Sequence, residues 1–184
     1  MSLNSWQETL MTSQVDGTAV TAAAATTLLP AAAVHTLPAG WAQIGRRLQI
    51  KASGRISSVI TTPGTARFDI RLGGTVVFDG LAVLLDSVAA HTNVGWELEV
   101  NLTCRAIGAT GNFFGQGRWV CEDILGVPAT APKGVLTAML PWNSAPAVGA
   151  NVNTTTSLTV DLYFTQTVAT GSCTCHMYEL TARN

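Results

Sequence analysis

The amino-acid sequence predicts an all-β fold: a jelly-roll-like antiparallel β-sandwich over residues 17–184, preceded by an N-terminal arm over residues 1–16 and interrupted by one Pro-rich crossover. Three observations predict it. Apolar and polar residues alternate with the period of two that belongs to half-buried strands. No stretch sustains the 3.6-residue period of a helix. Gly and Pro punctuate the alternating stretches at the spacing of a sandwich or barrel, giving roughly eight to ten strands. A chain of 184 residues can close one sizeable core, so a single domain follows the arm.

The elements follow in chain order. In the arm, Trp6 and Leu10 stand one helical turn apart, which allows a short helix or an extended segment. Thr18–Ala22 reads as a small strand. Arg47–Ser53 alternates with Leu48, Ile50 and Ala52 on one face; Gly54 marks a bend or bulge, and Arg55–Ile60 continues. The pair Pro63-Gly64 signals a turn. Ala66–Leu72 then places Ala66, Phe68, Ile70 and Leu72 inward and Arg67, Asp69 and Arg71 outward. Gly73-Gly74 is a two-residue hairpin signal before Thr75–Asp79, and Leu81–Asp86 reads as a further strand. Between Val94 and Ile107, Trp96, Leu98, Val100, Leu102 and Cys104 share one face, with Glu97, Glu99 and Asn101 on the other. Phe113–Ile124 returns. Pro128, Pro132, Pro141 and Pro146 mark the irregular crossover, in which Gly134–Leu140 fits a helical turn or a short strand. Thr154–Gln166 and Ser172–Ala182 close the domain.

Composition narrows the function classes. Only 11% of residues are charged, against about 25% in an ordinary soluble domain. Ala and Thr each occur 25 times. The ten Lys and Arg are balanced by eleven Asp and Glu without a basic block, so nucleic acid is not an expected partner. Two stretches carry no Asp, Glu, Lys or Arg at all, Gly17–Gly45 and Gly134–Val160. Prolines and threonines interrupt both, so neither reads as a membrane span, and the late first basic residue, Arg46, argues against a secretory signal. A surface so poor in charge favours association, and these two stretches are the expected contact segments.

Chemistry-bearing residues give weak signals. Glu97 and Glu99 share a strand face as a glycosidase pair would, but alternation puts them on the solvated side, away from Trp96. No nucleophile elbow, phosphate loop or zinc-protease motif is present, and His35, His91 and His176 lack the spacing of a triad. Cys173 and Cys175 with His176 form a conceivable metal cluster; buried structural thiols explain them better. No catalytic residue, cofactor or metal is assigned. The expected interface residues are Trp6, Leu10, Val34, Leu37 and Trp142, apolar side chains in the arm and in the uncharged stretches.

Several residues together resemble a known group. They are the run Leu37-Pro-Ala-Gly-Trp41, then Ile44, Gly45, Leu48, Ile50, Ala52 and Gly54. Thr62-Pro63, Phe68, Ile70 and Arg71-Leu-Gly-Gly-Thr75 continue the pattern. So do Trp96-Glu-Leu-Glu99, Leu102-Thr103, Arg105, Gly108 and Tyr178-Glu-Leu180. From about Ala31 onward this pattern resembles small jelly-roll virion structural proteins of tailed bacteriophages. The resemblance implies a non-enzymatic virion protein, with a trimeric capsid decoration (cement) protein on the major capsid protein as the first expectation. A tail or baseplate adsorption component is the alternative. A carbohydrate-binding jelly-roll module is a further one, which requires a concave sheet face with exposed aromatics or converging carboxylates. The arm, anchored by Trp6 and Leu10, is expected to dock on a neighbour.

Overall fold

The structure, a computed structural model, describes residues 6–125 and 135–184. It is an antiparallel sandwich of two sheets. The strands are β1 (Gln7–Thr12), β2 (Thr26–Thr27), β3 (His35–Leu37), β4 (Arg47–Ser58), β5 (Thr65–Leu72) and β6 (Thr75–Asp79). They continue with β7 (Val83–Leu84), β8 (His91–Ala106), β9 (Asn112–Leu125), β10 (Val135–Leu140), β11 (Leu158–Gln166) and β12 (Ser172–Arg183). The larger sheet has the order β1-β12-β4-β8-β9-β10, and the smaller one β2-β11-β5-β6, with β3 on β11 and β7 on β5. Consecutive strands β4 and β5 lie in different sheets, and each pairs there with one of the last two strands, β12 and β11. This nested ribbon gives the sandwich its jelly-roll-like character, and the β8–β9–β10 meander widens the larger sheet.

The alternation read from sequence sets the core. Leu48 and Ile50 of β4, Phe68, Ile70 and Leu72 of β5, and Trp96, Leu98, Val100 and Leu102 of β8 are all buried. Phe68 from the smaller sheet stands among three aromatic rings, with centroids 5.2 Å from Trp96, 4.9 Å from Trp119 in an edge-on arrangement, and 5.2 Å from Phe164. Such geometry adds to plain area burial. The β5–β6 hairpin closes through Gly73 and Gly74, both at positive φ, as a two-residue turn of this twist requires. Gly54 sits where β12 bulges between Cys175 and Met177; a Cβ there would lie 1.8 Å from the Thr174 carbonyl oxygen.

Several elements differ from the sequence reading. Of the two forms the sequence allows for the arm the extended one holds, and Gln7–Thr12 forms the edge strand on β12. Thr18–Ala22 is not a strand: Val20 makes an isolated bridge to Cys173, and the exposed Ala22–Ala25 run beyond it has nothing to bury. The strand expected over Leu81–Asp86 shrinks to Val83–Leu84. Asp79 accepts the Leu81 N–H at a left-handed turn, and Asp86 accepts the N–H groups of Val88 and Ala89, so both ends are consumed by turns. Of the two readings for the stretch ending at Leu140, the strand holds: β10 pairs with β9. Pro141 and Pro146 lie in the connection that follows β10, whereas Pro128 and Pro132 fall outside the described residues.

Truncating the central ring should be costly. Phe68→Ala is expected to lower unfolding free energy by about 3–5 kcal/mol in urea denaturation. A loss below about 1 kcal/mol would show that the ring cluster does not join the sheets.

Candidate functional site

The larger sheet carries a trough on its outer face. One hollow of it encloses about 360 Å³ and crosses β12, β4, β8 and β9. A second hollow of about 460 Å³ continues it, and Ser53, Glu97, Val120 and Met177 line both. The bulge at His176 breaks the alternation of β12, so that His176 and Met177 are both exposed. Met177 is 69% exposed. In the second hollow Gly95 has no side chain, and the Glu122 carboxylate accepts its N–H at 3.0 Å while lying 3.7 Å from Arg55.

A polar network is centred on Glu99, which lines the first hollow together with Arg118. Glu99 stands between Lys51 on β4 and Arg118 on β9. Gln49 donates to it at 2.7 Å, Arg118 at 3.2 Å and Asn101 at 3.4 Å. Arg183 in turn donates to the Gln49 side-chain amide oxygen at 2.8 Å. Burial pushes the Glu99 pKa up. The hydrogen bonds from Gln49 and Asn101, with the charges of Arg118 and Lys51, outweigh that and hold it below the usual glutamate range. Glu99 is therefore an ionised structural group and lacks the raised pKa of a general acid. The trough's lining aromatics, Trp96 and Tyr178, are 2% and 3% exposed, so neither offers a stacking face to a sugar.

A second charged cluster covers the smaller sheet. Asp69 is fully buried although alternation points it outward, because Arg71 donates to it at 2.7 Å and Arg67 lies 3.6 Å away. Arg71 also lies 3.7 Å from the centre of the Tyr163 ring. Asp161, on the neighbouring strand, accepts the Thr27 hydroxyl at 2.6 Å; burial nevertheless raises its pKa.

The expected interface residues lie on separate elements. Trp6 and Leu10 are half-buried along the β12 edge, and Asn184 donates its N–H to the Trp6 carbonyl. The Arg46 guanidinium lies over two indoles, 5.3 Å from the centre of Trp6 and 4.9 Å from that of Trp41. The arm is thus bound to its own domain. Val34 is half-buried after a short 3-10 turn. Leu37 corrects the sequence reading: it pairs with Leu158, is 2% exposed and belongs to the core. Trp142 is half-buried and donates its N–H to the Gly80 carbonyl.

The thiols point inward. Cys104, Cys121, Cys173 and Cys175 are all free and buried, whereas His176 faces outward, 3.0 Å from Asp16, so it does not converge with its cysteine neighbours. Burial pushes Cys121 up to about 12 and Cys175 up to about 11, and raises Cys104 and Cys173 as well. Among the described residues no three His, Cys, Asp or Glu side chains form a metal-holding group, and no helix is long and apolar enough to cross a membrane. Compared with known proteins, the chain matches no family model and no curated sequence.

Two outcomes follow. The depressed Glu99 pKa means that its charge stabilises the fold above the usual glutamate range, and that this contribution disappears as pH falls through the folded value. Glu99→Gln should therefore cost about 1–2 kcal/mol near neutral pH and clearly less near pH 3, read from urea midpoints; an equal loss at both contradicts the network. The native protein should show no thiol titratable by an aromatic disulfide reagent, and all four should react once it is denatured. A thiol that reacts in the native state would contradict the buried assignment.

Proposed function

We propose that the chain is a non-enzymatic structural protein of a tailed-bacteriophage particle, a decoration protein that sits on the outer shell as a homotrimer against the major capsid protein. The sequence pattern resembling small virion proteins supports this reading. The observation that carries it is where charge is missing. The two uncharged stretches bury Leu28, Leu29, Ala33, Leu37 and Val152 in the core, yet display Thr21–Ala25, Ala145, Ala147, Val148 and Ala150 at the surface. Val148 is 46% exposed. Several ionised side chains elsewhere are paired, Glu99 with Arg118 and Asp69 with Arg71. A contact core depleted of charge, with charges held in local pairs away from it, is the anatomy of a protein interface. Repeating one such contact around a closed ring multiplies a modest gain per copy.

Ala23→Lys and Val148→Lys place a charge in each displayed segment, at exposed positions where the fold tolerates it. Each is expected to leave the urea midpoint unchanged, to shift the trimer toward monomer in analytical ultracentrifugation, and to lower occupancy on native particles. Full occupancy of both variants would overturn the reading, as would a wild-type chain that stays monomeric or a copy number of only a few per particle.

A further inference from the structure

We propose that the trough on the larger sheet is a docking groove for an extended segment of another protein that presents one lysine or arginine between apolar side chains. The proposal rests on the trough alone and holds whatever particle the chain belongs to. Its charges decide the occupant. Glu97, Glu99, Glu122 and Glu179 line the two hollows, against Lys51, Arg55 and Arg118. Glu99 is bound to Arg118, Glu122 lies 3.7 Å from Arg55, and Glu179 stands directly across from Lys51. Glu97 is left over. Its cross-strand neighbours are Ser53 and Val120, both uncharged, and it is exposed. One surplus carboxylate therefore stands where the two hollows meet, beside Val120 and the exposed Met177 side chain.

A cation and an apolar group side by side complement that centre. A methionine on a flexible stem adapts to varied apolar partners. Measured along the strands, the two hollows together span the rows of Arg55, Ser53 and Lys51, a length of about 13 Å at strand rise, which fits four extended residues.

The test uses the whole protein labelled at its methionine methyls, of which there are four. The probes are a capped Leu-Lys-Leu peptide flanked by glycines, its Leu-Glu-Leu counterpart, and spermidine. The lysine peptide is expected to shift the Met177 methyl signal and leave in place that of Met11, which lies opposite the buried Leu180 and packs against the core. Glu97→Gln, an isosteric change at an exposed position, should weaken the lysine peptide about fivefold. No Met177 shift at millimolar peptide would overturn the proposal. So would an equal shift from the glutamate peptide, or spermidine binding as tightly as the lysine peptide, which would make the trough a polyamine site.

Discussion

The sandwich depends on one aromatic contact across its two sheets. Phe68 leaves the smaller sheet and enters the space between Trp96 and Trp119 of the larger one, with Phe164 beside it on its own sheet. The strands that supply these rings are the long, well-paired ones, β5 and β11 on one side and β8 and β9 on the other. A slip of one residue along β5 would exchange Phe68 for Asp69. That exchange would put Asp69, with Arg67 and Arg71 on the same face, toward the indoles and leave Phe68 on the outer face beside Tyr163. Core and surface therefore fix the same register from opposite faces, and the nested ribbon of β4–β5 with β11–β12 inherits it.

The central strands were legible because one face of each is dry. Alternation is strict where burial is one-sided, and it located β4, β5, β6, β8, β9, β11 and β12 within a few residues. It also put Glu97 and Glu99 outside, as found. The pieces at the edges were less legible. β1 gains its partner from the far end of the chain, and no local period announces that pairing. Leu37 sits in an uncharged run that looks like surface, and it is buried because β11 lies beside it. Asp69 shows the limit of a two-face reading: alternation says which way a side chain points, but not that two arginines close over it. The trough was invisible for a related reason. It depends on a bulge at His176, and a single inserted residue leaves no compositional trace.

The scarcity of charge acquires a structural meaning. Most charged side chains among the described residues lie on strands of the two sheets, where strand spacing lets opposite charges meet across neighbours. The loops that connect the sheets draw on the uncharged stretches and present small apolar and hydroxyl side chains instead. The molecule thus has two kinds of surface. The loop surface suits broad contacts that many copies repeat, and the face of the larger sheet has a shaped trough with one surplus carboxylate. Both fit the proposed structural role, and the arm is secured to its own domain by the Arg46 guanidinium, which lies over the Trp6 and Trp41 rings.

A reconstruction of the native particle at side-chain resolution tests that account most directly. It should show three copies around a three-fold axis on the outer shell, with Thr21–Ala25 and Val148 buried against neighbouring protein. Density that leaves both segments facing solvent, or that places the chain as a lone copy with no protein against its uncharged loops, would contradict it.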